Sequence, residues 1–316
     1  MSKPFVLAVA GATASGKSEL ALQLAKRLDG EIVCMDSMQI YRRMDIGTAK
    51  PTAEERAQTP HHMLDIVEPT ENYAVADYAR DAEMVIRDIL SRGRLPILTG
   101  GTGLYLKALM HGLNLGGAGS DEKLREKLNA LALEKGGKEQ LHAMLAKVDP
   151  ASAQKLHIND IRRVIRAIEV YELTGKPISQ QKQEEPEGPF CVLPLAIDLP
   201  RPVLYERLEN RVHLMMKAGL LNEVRALLDE GVTAQMQSMQ GIGYKELIPV
   251  VQDGADLKDA VWQIILNTRH YAKRQGTWLR TEPKTVWLSC AKEKRVDEAL
   301  VQIERFQTHM KGTSEE

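Results

Sequence analysis

The sequence predicts an α/β fold, a parallel sheet flanked by helices, carrying an all-helical insertion. Three observations predict it. A glycine-rich loop joins a short apolar run to an amphipathic segment. Further short apolar runs alternate with helical patterns, the mark of a parallel sheet. Between residues 113 and 190 the strand signals stop and only helical periodicity remains.

The loop is Gly11-Ala12-Thr13-Ala14-Ser15-Gly16-Lys17-Ser18, a full G-x-x-x-x-G-K-[ST] phosphate-binding pattern. Phe5 to Ala10 before it reads as a buried strand, and Leu20, Ala21, Leu24 and Leu28 after it fall at helical spacing. Gly11 and Gly16 permit backbone angles that a side chain forbids. Successive N–H groups can then turn inward on phosphate oxygens, helped by the positive end of the helix. Lys17 supplies a point charge, and the Ser18 hydroxyl can ligate Mg²⁺. The core is therefore P-loop NTPase-like. The loop leaves open which polyphosphate is held.

The remaining elements follow in order. Glu31 to Met35 reads as a second strand ending at Asp36-Ser37. Residues 41 to 73 read as loops and turns. Ala74 to Leu90 reads as a helix with Ala76, Ala79, Met84 and Ile89 amid charges. Leu95 to Thr99 is a third strand, followed by Gly100-Gly101-Thr102-Gly103 and a helix from Leu104. Gly112 to Ser120 has the composition of a hinge. Helices then run from Asp121 to about Gly175. The last places Ile161, Val164, Ile165 and Ile168 on one stripe, with Arg162, Arg163 and Arg166 off it. A polar run from Gln180 to Pro189 leads back to a strand at Val192 to Leu199. Helices near 204–216, 220–230 and 257–279, a strand at 285–288 and a helix at 296–310 complete the chain. The core is assigned to residues 1–112 and 191–316, the helical insertion to 113–190.

Bulk properties exclude several classes. Of 316 residues, 43% are hydrophobic and 27% charged, ordinary for a soluble globular chain of this size. A net charge of −1 excludes a uniformly basic nucleic-acid binder, so any such site is a local patch. Cys34, Cys191 and Cys290 are scattered and odd in number, which fits a reducing cytoplasm rather than a disulfide framework or zinc site. The short apolar start is no signal segment or membrane span.

In open α/β sheets, ligands bind beyond the carboxyl ends of the strands. The phosphate loop, Asp36-Ser37 and Gly100-Gly101-Thr102 meet that condition. By position, Asp36 is equally a general base, a cap, or an outer magnesium partner. Adjacent His61 and His62 point apart and read as structural rather than metal-binding. Thr268 to Arg280 interleaves Arg269, His270, Lys273, Arg274 and Arg280 with Tyr271 and Trp278. That composition suits nucleic acid, and equally a solvated helix face with Trp278 in the core.

Together the motifs resemble one family. Its stretches occur in order: the phosphate loop, Asp36-Ser37-Met38-Gln39-Ile40-Tyr41, Met44 to Pro51, and Gly100-Gly101-Thr102-Gly103-Leu104-Tyr105. His157-Ile158-Asn159-Asp160 with Arg162–Arg166, Gly241 to Glu246, and Lys273 to Arg280 complete them. This resembles the bacterial tRNA dimethylallyltransferases (tRNA isopentenyltransferases) over residues 5 to 288. The resemblance implies transfer of a dimethylallyl group from dimethylallyl diphosphate to N6 of the adenosine immediately 3′ of the anticodon, in tRNAs reading codons that begin with U. The loop would then grip the donor's diphosphate. Asp36 matches the family's base, and Thr13, Lys17 and Arg211 its diphosphate contacts, with Arg207 a rival to Arg211. Mg²⁺ would be held through Ser18. Asp36, Ser37, Met38, Gln39, Thr102, Arg125, Arg162, Arg163, Val164, Ile165 and Arg166 fall where the family contacts tRNA. The insertion is expected to close over the anticodon stem-loop. Partners are tRNA and the prenyl donor, with no membrane and no obligatory protein partner. Gly276 departs from the family's larger apolar residue and is expected to loosen its helix.

The competing readings are a P-loop nucleoside or small-molecule kinase, a nucleotide-gated RNA-binding protein that is not an enzyme, and a relative prenylating free adenine nucleotides. Without the resemblance the kinase ranks first.

Overall fold

Phe5–Ala10 forms the inner strand β1 because it is apolar on both faces. Val6, Ala8 and Ala10 enter one core layer while Leu7 and Val9 enter the other. The computed structural model describes residues 3–112, 119, 121–180 and 188–312. After β1 come α1 (Lys17–Arg27), β2 (Gly30–Cys34), α2 (Ala53–Gln58), β3 (His61–His62), α3 (Val75–Ser91), β4 (Leu95–Gly100) and α4 (Gly103–His111). The later part of this unit holds β5 (Cys191–Ile197), then α9 (Arg201–Lys217), α10 (Leu220–Asp229), α11 (Tyr244–Asp253), α12 (Leu257–Thr281), β6 (Val286–Leu288) and α13 (Arg295–Gly312).

Among the described residues the strands form one six-stranded sheet in the order β3-β2-β4-β1-β5-β6. Every pairing is parallel: Leu7 faces Ile97 of β4 and Leu193 of β5. The chain steps outward from β1 to β3, returns to β4, then crosses to β5. That reversal beside β1 opens a crevice at the strands' carboxyl ends, where the phosphate loop, Asp36 and Gly100–Thr102 all lie.

Three elements go beyond what the sequence predicts: α2, inside the stretch 41–73 expected to be loops and turns, β3 and α11. β3 has two residues, too few to show a period. Its histidines take different partners: His61 Nδ1 lies 2.7 Å from Thr59 O, and His62 Nε2 lies 2.7 Å from the buried Glu31 carboxylate. α11 follows Gly241-Ile242-Gly243 and contains Pro249, both of which mask a helical signal. The buried face of α3 differs from the one its sequence predicts. α3 buries Tyr78, Ala82, Ile86 and Ile89 and leaves Met84 59% exposed. Tyr78 anchors that face, its hydroxyl donating to Cys34 O at 3.1 Å and its ring stacking on Tyr105. α12 runs unbroken through Gly276.

The chain divides into two compact units, Met1–His111 with Gly188–Glu316, and Gly112–Glu187. The second contains α5 (Glu122–Leu133), α6 (Gly137–Val148), α7 (Pro150–Lys155) and α8 (Ile161–Thr174). Leu128, Leu141, Leu145, Val164, Ile165 and Ile168 make its core. The hinge expected at 112–120 and the polar run at 180–189 fall largely outside the described residues.

Candidate active site

The phosphate loop is held open by its backbone. Gly16 adopts φ 94° and Ala14 φ 63°, left-handed conformations that curl the chain around a central space. Lys17 Nζ donates to Ala12 O at 3.3 Å, folding the side chain back over the loop. From α9, Arg211 Nη1 donates to Thr13 Oγ1 at 3.2 Å. From α12, Gln275 Oε1 accepts the Thr13 N–H at 2.9 Å.

Asp36 is set by the neighbouring strand. Met35 N donates to Thr99 O at 2.7 Å, and Thr102 N donates to Met35 O at 3.2 Å, fastening the end of β2 to the end of β4. Thr102 Oγ1 accepts from Ser37 N at 3.0 Å. Asp36 Oδ1 accepts from Met38 N at 2.9 Å, so one carboxylate oxygen stabilises the turn. No helix begins at this turn, which removes the helix-cap reading of Asp36. Gln39 donates to Thr48 O and Ala49 O at 2.9 and 3.1 Å, clasping the Met44–Pro51 loop. That loop is fixed from α10: the Glu223 carboxylate accepts the N–H groups of Asp45, Ile46 and Gly47 and the Tyr244 hydroxyl.

Two cavities meet here. A polar one of about 370 Å³ is lined by the loop, including Lys17 and Ser18, with Cys34, Gln39 and Thr99. A second, of about 300 Å³, is walled by Leu208, Val212, Met215, Ile242 and Ile264, with Lys245, Tyr271 and Arg274 also on its lining. Thr13, Asp36, Thr48 and Arg211 line both. The junction therefore carries an acid, a cation and two threonine hydroxyls between a polar and a mainly apolar compartment.

Charge is concentrated there. Burial, then Arg211, lowers the Lys17 ammonium to about 8, with Asp36 opposing. Burial also lowers the Arg211 pKa, again opposed by Asp36. Burial and the Asp36 charge push Tyr271 up to about 12.

Arg211 lines both cavities and reaches Thr13, whereas its rival Arg207 lines neither. The basic stretch 268–280 divides by function. Arg269 pairs with Glu209 at 2.8 Å, Arg280 with Asp198 at 3.2 Å, and Trp278 packs beside Gly103. Tyr271 and Arg274 face the apolar cavity.

In the helical unit, Arg162 and Arg163 are exposed, and Arg163 lies 3.4 Å from Asp160. Arg125 and Arg166 both bind Glu169, which is fully buried. Arg166 lies off the apolar stripe, and Glu169 draws it inward. Val164 and Ile165 are 0% and 4% exposed, so their side chains cannot meet a ligand. They are the packing beneath Arg162 and Arg163.

A family model described as "IPP transferase" matches residues 39–282. The chain belongs to the IPP transferase family. Among relatives of this family, "tRNA dimethylallyltransferase 1" of Trichlorobacter lovleyi is 52% identical over 91% of this chain and 94% of its own length. The tRNA dimethylallyltransferase of Pelotomaculum thermopropionicum is 50% identical over 90% of each chain. The solved tRNA isopentenylpyrophosphate transferase of Bacillus halodurans superposes with a TM-score of 0.75 at 39% identity, covering 99% of this chain and 100% of that one. A eukaryotic dimethylallyltransferase, solved acting on tRNA, gives 0.80 at 31% identity over 95% of this chain and 77% of that one. The parallel sheet with flanking helices is thus the family's P-loop-like fold, and the chain is an enzyme of the prenyltransferase kind. Among the described residues no helix is long and apolar enough to cross a membrane, and no cluster of His, Cys, Asp and Glu could hold a metal.

The sequence reading missed the apolar wall. Leu208, Arg211, Val212 and Met215 fall at i, i+3, i+4 and i+7 on α9, the only local signal that one face serves the site. The composition of the stretch 268–280 marks Tyr271 and Arg274 but does not place them at this cavity.

Proposed function

We propose that this chain is a tRNA dimethylallyltransferase. It transfers the dimethylallyl group from dimethylallyl diphosphate to N6 of the adenosine immediately 3′ of the anticodon, in tRNAs reading codons that begin with U, and releases diphosphate. The observation that carries the reading is the meeting of a polar and an apolar cavity at Thr13, Asp36 and Arg211. A kinase needs the first compartment, but an apolar slot of that size beyond the base suits a prenyl chain and a purine.

The diphosphate rests on the loop 11–18, against Lys17 and Arg211. The allylic carbon reaches the junction, and the apolar wall keeps water from it. The adenine amine is a weak nucleophile because its lone pair is delocalised into the ring. As its N6–C bond forms, the C–O bond to diphosphate breaks and its electron pair leaves with the diphosphate. Asp36 takes the N6 proton in the same region. Lys17, Arg211 and Thr13 stabilise the charge that develops on the leaving group. Ser18 offers a hydroxyl to the polar cavity, and Thr99, whose buried Oγ1 has no protein partner, is among the residues around it. Hard oxygen donors of this kind fit Mg²⁺, with Ser18 as its ligand. When bound, Mg²⁺ supplies further positive charge against the diphosphate.

Ser37, Met38, Gln39 and Thr102 contact the target nucleotide and its neighbours. Arg162 and Arg163 meet the RNA backbone, with Arg125 and Arg166 bearing on it from their Glu169 anchor. Val164 and Ile165 support them from the core. Taking the base from the anticodon-loop stack costs on the order of a few kcal/mol. An enzyme acting on tRNA with free thiols works in the cytoplasm.

The test is transfer from labelled dimethylallyl diphosphate with Mg²⁺ to an anticodon stem-loop bearing adenosine, or guanosine, at the target position. Label in the adenosine substrate alone is expected. Label in neither, with γ-phosphate transfer from ATP to a small acceptor, would replace this reading with a kinase.

A further inference from the structure

Gln275 lies on α12, is 6% exposed, and lines neither of the two cavities that meet at Asp36. Its amide nonetheless joins the two loops the reaction uses. Oε1 accepts from Thr13 N at 2.9 Å, and Nε2 donates to Gly101 O at 2.9 Å. The two partners fix the amide's orientation, because a backbone N–H needs the oxygen and a carbonyl needs the nitrogen. The contact is close. A Cβ on Gly101 would stand 2.0 Å from Gln275 Nε2, so glycine at this position admits the amide. Beyond Gly101, Thr102 holds Ser37 next to Asp36, and the Tyr271 hydroxyl sits against the Thr102 and Gln275 side chains.

One side of this bridge is the loop that grips the donor, and the other is the loop that sets the base. Thr13 and Gly101 belong to different strand ends, and the bond from α12 spans them. We propose that Gln275 is a positioning residue: its amide fixes the separation of the donor loop and the Asp36–Thr102 region, and so aligns the allylic carbon with the acceptor nitrogen. This rests on the prenyl-transfer reading above. A residue of this kind affects the rate of the chemical step more than the grip on diphosphate. A displacement of about 1 Å between reacting groups can cost on the order of a hundredfold in rate.

The experiment compares wild type, Gln275→Met and Gln275→Glu in single-turnover transfer to the anticodon stem-loop. Affinity for inorganic diphosphate and thermal melting are measured on the same preparations. Gln275→Met removes both hydrogen bonds at similar volume. Its transfer rate is expected to fall roughly 10- to 100-fold while diphosphate affinity stays within about threefold. Gln275→Glu keeps an acceptor for Thr13 but sets a carboxylate oxygen against Gly101 O. Protonation turns that oxygen into a donor and restores the bridge. The ratio of its rate to wild type is therefore expected to climb as pH falls from about 8 to about 5.5, where a carboxyl near its ordinary range begins to protonate. The Gln275→Met ratio is expected to stay flat. A Gln275→Met rate within about twofold of wild type, equal losses of rate and diphosphate affinity, or a flat Gln275→Glu ratio would each overturn the proposal. If Gln275→Met does not fold, the Gln275→Glu ratio decides alone. Failure of wild type to transfer any label is a different result: it removes the functional reading, and this role with it.

Discussion

The two cavities that meet at Asp36 are built in opposite ways. The polar one is built around short contiguous stretches at strand ends, Thr13-Ala14, Gly16 to Glu19, Cys34 and Asp36, and Thr99 with Gly100, and is closed by Gln39, the Thr48–Pro51 loop and Arg211. The apolar one is assembled from α9, α12 and the turn before α11, joined by no local pattern. Gripping a diphosphate needs N–H groups and charges in a fixed local curl, which one loop supplies. Excluding water needs apolar surface on several sides, which only tertiary packing supplies. Arg211 belongs to both designs: its helix face carries the clamp and the wall together.

Removing that shared residue breaks the comparison most severely. Arg211→Ala is expected to cut the transfer rate on the order of a hundredfold, the usual loss for one donor to a developing anion. Arg207→Ala, which touches neither cavity, is expected to change it by less than about threefold. Single-turnover assays on both variants check the difference.

The polar cavity has its own signature in pH. Lys17 sits at about 8 in the free enzyme because burial and Arg211 disfavour its charge. A bound diphosphate favours the charged form and raises that pKa. Above about 8 the ammonium must therefore be recharged on binding, and affinity falls as pH rises through that value. The slope approaches tenfold per pH unit. Titrating inorganic diphosphate calorimetrically between pH 7 and 9.5 should show proton uptake at the alkaline end. Affinity independent of pH there would contradict the assignment.

The apolar side is sharpened by Gly47, where an added Cβ would meet the Tyr244 ring at 2.5 Å. Gly47→Ala is expected to cost about 1–3 kcal/mol through overpacking. Denaturant unfolding measures it, and donor KM should rise while diphosphate affinity holds.

A similar contrast of held and open charge recurs in the helical unit. Arg162 is exposed, while Arg125 is held by buried Glu169. Arg162→Ala is expected to leave melting unchanged and to lower the salt slope of RNA binding by about one. Arg125→Ala is expected to lower the melting temperature, because it strips a partner from a buried carboxylate.

The same division decides what was legible in the sequence. The loop 11–18, β1, β2 and β4 follow from local pattern, because phosphate binding and buried parallel strands both write themselves into contiguous residues. Asp36 could be singled out by position, yet its setting could not: Met35 is tied to Thr99 and Thr102, far along the chain. Gln275 sat in a stretch noted for its charges, and its bridge spans 262 residues to Thr13. Helical phase places Arg166 off the apolar stripe but does not show that Glu169, three residues on, is buried and draws it in. α11 was hidden by glycines at its start and a proline within. For Asp36 and Gln275 the missing information is a contact between distant residues; for Arg166 it is the burial of a glutamate three positions along the same helix, and for α11 the local glycine and proline signals themselves point away from a helix.

The most direct test is Asp36→Asn, which keeps the side chain's shape and removes its capacity to take a proton. Single-turnover transfer to the anticodon stem-loop and affinity for dimethylallyl diphosphate are measured together. A rate loss of roughly 10²- to 10⁴-fold is expected, with donor affinity within about threefold. A variant that transfers at the wild-type rate would contradict the placing of the base at the meeting of the two cavities.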